Sequence, residues 1–146
     1  MNKKAYFFLL VLILFLSFTN IKNVWGFELF LNKVEANEVW LAMRSTSGGS
    51  TTFVMFIQEL KHALDSRGRK RNNTRGTIFW EKFSLQLYPD GEVSLYKRVV
   101  DTSKARNNTW YLLRIINRTH GGGFNVKCQI NKGRFQNVSM LDIPSR

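Results

Sequence analysis

The chain has 146 residues, 22 of them Lys or Arg against 10 Asp or Glu, a net charge of +12, 44% hydrophobic content and one cysteine. That much apolar side chain excludes a low-complexity, disordered chain. One cysteine excludes an internal disulfide framework, and the length suits one domain.

The N-terminus begins MNKK, and residues 5–18 (AYFFLLVLILFLSF) form a predominantly apolar run of 14. A bilayer-spanning helix needs about 20 such residues, whereas this length matches the apolar region of a signal peptide. Val24-Trp25-Gly26 then supplies small residues at the −3 and −1 positions of a cut after Gly26. The competing reading is an uncleaved signal anchor, because residues 21–30 are still fairly apolar. Both readings send the chain into the secretory route, so residues 1–26 are expected as a signal peptide and residues 27–146 as a single, secreted, basic domain. Losing the three lysines of residues 1–26 lowers the net charge from +12 to +9. Residues 27–60 hold two basic and four acidic side chains, and residues 61–134 hold sixteen and five. Charge segregated in this way attracts polyanions such as RNA, sulfated glycan or anionic lipid, or it is only a solvated basic surface.

NEVWLAMR (37–44) reads as a first strand, ended by STSGGS (45–50). In TTFVMFIQELKHALDS (51–66), Phe53, Phe56, Ile57, Leu60 and Leu64 recur at helical spacing, with Gln58, Glu59, Lys61, His62 and Asp65 opposite. Thr51 or Thr52 can cap such a helix and Gly68 can end it, although TTFVMFI alone also suits a strand. After the loop SRGRKRNNTRG (66–76) the period changes to two in GTIFWEKFSLQLY. Tyr88-Pro89-Asp90-Gly91 is a turn, from which EVSLYKRVV is expected to return as a hairpin. Residues 101–108 form a polar loop. TWYLLRIIN, FNVKCQIN and FQNVSMLDI follow as strands, separated by RTHGGG and NKG. The expected fold class is therefore α+β, with one amphipathic helix packed on a mostly antiparallel sheet of about five to six strands.

Four N-x-S/T sequons mark glycosylation candidates: Asn72, Asn107 and Asn117 in expected loops, and Asn137 in an expected strand. Cys128 alternates with polar neighbours in FNVKCQIN and reads as a buried core thiol. A ribonuclease could use two imidazoles, or a histidine with Glu59, as acid and base, but nothing in the sequence brings His62 and His120 together. No metal-ligand spacing and no cofactor fingerprint occurs, so neither a metal nor a cofactor is expected. The glycines of RTHGGG form either a phosphate cradle or a flexible hairpin tip. In the basic loop, Arg67, Arg69, Lys70 and Arg71 have the chemistry to grip phosphate. Lys70-Arg71 is also a dibasic processing candidate, disfavoured by Gly68 upstream and by a sugar on Asn72. A solvated loop is the third reading.

In pattern and order, residues 37–117 resemble the N-terminal part of plant ribosome-inactivating proteins, the rRNA N-glycosylases. STTFVMFIQELKHALDS looks like that family's helix, EKFSLQLYPDGEVSLYKR like its strand–turn–strand, and TWYLLRIIN like the strand bearing an adenine-stacking tyrosine. The resemblance implies RNA as partner, a toxin-like or defence role, and Tyr111 as the base-stacking residue. The family's catalytic glutamate and arginine lie on a later helix, and no E-A-x-x-R segment follows here. What the resemblance implies is then a truncated or inactive relative, with catalytic residues unknown. The alternative is a secreted, non-catalytic cationic binding or effector protein that recognises a glycan, a lipid head group or another protein. Oligomeric state is open.

Overall fold

A computed structural model describes residues 26–143; the signal-peptide expectation falls almost wholly outside them. Eight strands form two antiparallel sheets. β1 (Phe27–Glu35), β2 (Glu38–Ser45) and β5 (Ser94–Val99) make the smaller sheet, in the order β1-β2-β5. β4 (Thr77–Leu87), β3 (Gly49–Glu59), β6 (Trp110–Asn117), β7 (Gly123–Asn131) and β8 (Arg134–Met140) make the larger, in that order. Alternation sends one face of each sheet inward. Val39, Leu41 and Met43 of β2 share one core with Phe53, Met55 and Ile57 of β3, Leu113 and Ile115 of β6, and Val126, Cys128 and Ile130 of β7. The result is a sandwich closed without a disulfide.

The α+β expectation is overturned. The only helix among the described residues is α1 (Leu60–Ala63), four residues long, and the segment expected as an amphipathic helix is mostly β3. The cause lies in its side chains. Phe53, Phe56 and Ile57 satisfy a helical spacing, but Thr51, Phe53, Met55 and Ile57 also satisfy a period of two, and all four are fully buried. β3 is the second strand of the larger sheet, paired along β4 and β6. Its outward Val54 and Gln58 are buried as well, so the strand reads as an unbroken apolar run that periodicity alone cannot tell from a buried helix. Its β-branched and aromatic residues suit the strand that this pairing builds.

Two further expectations change. The turn at 88–91 is real: Gly91 has φ +69° and its N–H donates to Ser45 O, 3.0 Å. It does not close a hairpin, because β4 and β5 belong to different sheets; it carries the chain across the sandwich. β1 was not expected, and it pairs with β2 from Phe27↔Ser45 to Glu35↔Glu38. The strands expected in TWYLLRIIN, FNVKCQIN and FQNVSMLDI are present as β6, β7 and β8.

Candidate functional site: the basic end of the sandwich

The pairing puts loops far apart in sequence at one end of the molecule. The C-terminal end of β3 lies beside the start of β6 (Glu59↔Tyr111) and the start of β4 (Gln58↔Thr77). β6 in turn sets Trp110 opposite Gln129 of β7, next to the β7–β8 turn. That turn is tied to the β1–β2 turn by Phe135 N–H donating to Ala36 O, 2.7 Å. Residues 60–76, residues 100–109 and the turn at 132–133 therefore crowd together. They carry Lys61, Arg67, Arg69, Lys70, Arg71, Arg75, Lys104, Arg106 and Lys132, against Asp65 and Asp101 and the strand-end Glu59.

The basic loop has a defined conformation. Asp65 Oδ1 accepts from the N–H groups of Arg67 and Arg69, both at 2.9 Å, and Asp65 Oδ2 lies 3.4 Å from Arg69 Nε. These hydrogen bonds, Arg69's first, outweigh the small effect of burial and hold the Asp65 carboxyl below its usual value. Arg71 N–H donates to Ala63 O (2.8 Å), Arg71 Nε to Leu64 O (3.1 Å), and Leu64 pairs with Lys70. Further on, Asn73 Nδ2 donates to His62 O at 3.1 Å, and Gln58 Nε2 donates to Arg75 O at 2.8 Å. Arg67, Arg69, Lys70 and Arg71 are all exposed. A guanidinium has five donors, so one bond to a carbonyl or to Asp65 leaves donors over.

Beside the loop lies an open groove of about 780 Å³, lined by Glu59, Lys61, Leu64, Arg106, Asn108 and Trp110 among others. Glu59 forms its buried floor. Its carboxylate bonds the Arg106 guanidinium, with Lys61 Nζ at 3.6 Å and His62 Nε2 at 3.8 Å. Burial pushes the Glu59 carboxyl up, but Arg106 and Lys61 together outweigh it and hold the group below the ordinary glutamate value. Arg106 is held raised by the same contact. A carboxylate kept ionised and clamped in this way serves as a structural counter-ion and is poorly suited to donate a proton as a general acid. Gly76 makes the packing possible: with φ +72°, a Cβ there would meet His62 Cδ2 at 2.8 Å.

The remaining candidates disperse. His120 sits at the far end of β3, with Nδ1 3.0 Å from Thr51 Oγ1 and its ring stacked on Phe27 at 4.0 Å. His62 contacts Glu59, eight strand residues and roughly 27 Å away, so the two imidazoles do not meet. Gly121–Gly123 form the β6–β7 turn at that same far end, away from the basic loops. Tyr111 is wholly buried, and its hydroxyl accepts from the Arg106 N–H at 2.8 Å; its ring offers no face to a base. With residues 51–59 as a strand, the helix on which the resemblance to ribosome-inactivating proteins drew is absent. Cys128 is buried, and burial pushes its thiol up to about 12.

Of the sequons, Asn72, Asn107 and Asn137 are exposed. Asn117, expected in a loop, is the last residue of β6 and only 2% exposed. Its Nδ2, the atom a glycan would occupy, donates to Thr51 Oγ1 at 2.8 Å, and its Oδ1 accepts from Thr119 N (3.0 Å) and His120 N (2.7 Å). The sequon there is a turn device. Sequence reasoning missed Glu59 and Arg106 as partners; the charge pattern marked both as basic or acidic, but only the β3–β6 register joins them.

No family model, characterised protein or solved structure matches the chain. Among the described residues, no helix is long and apolar enough to cross a membrane.

Proposed function

We propose that this protein is a secreted, glycosylated, non-catalytic binding protein for polyanions, and that it engages them with the basic end of the sandwich. The observation that carries the reading is convergence: cations from residues 60–76, 100–109 and 132 meet at one end, while the carboxylates there are drawn into local bonds. Asp65 caps the loop backbone and Glu59 grips Arg106. Exposed Arg67, Arg69, Lys70 and Arg71 supply the forked and point-like donors that phosphate or sulfate takes. Glu59, the carboxylate beside His62, is held ionised by Arg106 and Lys61, and the proposal is one of binding alone.

Salt dependence tests it. Each phosphate neutralised releases about 0.7 counterion from a single strand and about 0.9 from a duplex. Replacing Arg67, Arg69, Lys70 and Arg71 together by alanine is expected to flatten the log–log salt dependence of RNA binding by up to about three units, with heparin affinity falling in parallel. A quadruple variant that binds both with the parent's affinity and slope would sink the proposal and leave 66–76 as a solvated loop.

A further inference from the structure

The outward face of the larger sheet has an unusual side-chain set. Its five strands contain only two carboxylates, Glu59 and Glu81, and both stand at inward positions, opposite Tyr111 and Met55. The outward positions hold Lys82, Arg114 and Lys127, three aromatic rings, and otherwise hydroxyl, amide and aliphatic side chains with Arg134 at one corner. One row crosses four strands in register: Trp80↔Phe56↔Arg114↔Asn125.

Trp80 is 60% exposed, a large value for a tryptophan. Arg114 lies along the face with Cζ 5.7 Å from the Phe56 ring centre, and Nε donates to Asn125 Oδ1 at 2.8 Å. No carboxylate pairs with it, and its buried Nη1 finds no acceptor among the described residues. A second ring, Trp110, is 39% exposed with Lys127 Nζ 4.5 Å from its centre. Trp110 also lines the groove at the basic end. The basic loop borders the same face, since outward Gln58 holds the carbonyl of Arg75.

We infer that this face is a stacking platform for single-stranded nucleic acid, entered from the basic end. Flat rings beside unpaired cations, with no carboxylate to repel phosphate, are what such strands require: bases stack on aromatic faces while the backbone tracks positive charge. Trp80 and Trp110 stand roughly 17 Å apart, two strand spacings across and four residues along, so one strand of a few nucleotides reaches both. Duplexes and sulfated glycans have no free base to stack and gain only the ionic part.

The inference rests on the polyanion reading, and the experiment separates the two. Full-length mature protein is titrated with an oligouridylate of about ten nucleotides, a duplex of equal charge, and heparin. The variants are Trp80→Ala, Trp110→Ala and the quadruple loop variant. Both tryptophans are exposed enough for truncation to leave the fold intact, which near-UV dichroism checks. Each tryptophan variant is expected to bind oligouridylate roughly 5- to 150-fold more weakly, with heparin affinity unchanged. The parent's tryptophan fluorescence is expected to be quenched by oligouridylate and unaffected by heparin. Tryptophan variants that bind oligouridylate as the parent does would overturn the platform, while a surviving loop effect on heparin would leave the polyanion reading standing. Loss of heparin and oligouridylate binding alike in Trp80→Ala would also overturn it, as would a self-associated parent that Trp80→Ala converts to monomer. A parent that binds none of the three ligands would remove both proposals.

Discussion

Asn117 shows how one side chain can satisfy a modification motif and forbid the modification. Its amide closes the β6–β7 turn with three hydrogen bonds, and the third residue of its sequon, Thr119, accepts from Thr52 N–H at 2.9 Å. A sugar on Nδ2 would remove the bond to Thr51 inside the sandwich. Glycopeptide mapping of protein from a glycosylating cell is expected to find sugar at Asn107, where the side chain is exposed, and none at Asn117. An occupied Asn117 in folded material would contradict the buried placement. Asn117→Ala is expected to lower stability by about 2–4 kcal/mol in denaturant melts, because two turn N–H groups lose their acceptor and the buried Thr51 hydroxyl keeps only His120. At the same scale, Cys128 teaches the opposite lesson. Alternation in FNVKCQIN was enough to place it inside, because a strand with one apolar face has only one way to lie on a core.

The strand β3 marks where sequence reading reached its limit. Strand β7 alternates clearly and was legible, since its outward Asn125, Lys127 and Gln129 are polar. β3 is buried on both faces, and its apolar run carries a helical and a strand period together. What decides is the pairing of Val54 with Lys82 on one side and Ile116 on the other, a long-range fact absent from any local window. The two readings differ at particular residues. In a helix, Phe56 would face the core and Met55 would sit off the apolar stripe. In the sandwich, Met55 is fully buried and Phe56 half-buried on the outward face. Met55→Ala is therefore expected to cost about 2–5 kcal/mol, and Phe56→Ala distinctly less. The reverse order in chemical denaturation would restore the helix. The candidate site divides in the same way: the basic loop was visible as a charge run, whereas its neighbours across the groove, Arg106 and Trp110, reach it only through the β3–β6 register.

At the scale of the whole molecule, the displaced groups that titrate from neutral pH downward, His120, Glu59, Asp65 and Asp101, all favour the same side of the pH range. Burial holds His120 below its ordinary value of 6.5. It protonates less readily in the fold than in the unfolded chain. Glu59 is pushed up by burial but pulled further down by Arg106 and Lys61, while Asp65 and Asp101 are lowered chiefly by backbone hydrogen bonds from Arg69 and Ser103. In every case the unfolded chain binds more protons, so stability rises with pH across the window between unfolded and folded pKa. The sign is the same for the base as for the acids, and only the windows differ. His120's contribution is complete above 6.5 and is lost as pH falls through its folded pKa. The carboxylates' contributions are complete above about 4.5 and are lost below it. Denaturant midpoints measured from pH 8 downward are expected to decline in two stages, a shallow one beginning near 6.5 and a steeper one below about 4.5. His120→Gln is expected to remove the first stage alone and Glu59→Gln to weaken the second. A midpoint that rises on acidification, or a first stage that survives in His120→Gln, would show that the His120 imidazole at the far end of β3 is not the group responsible.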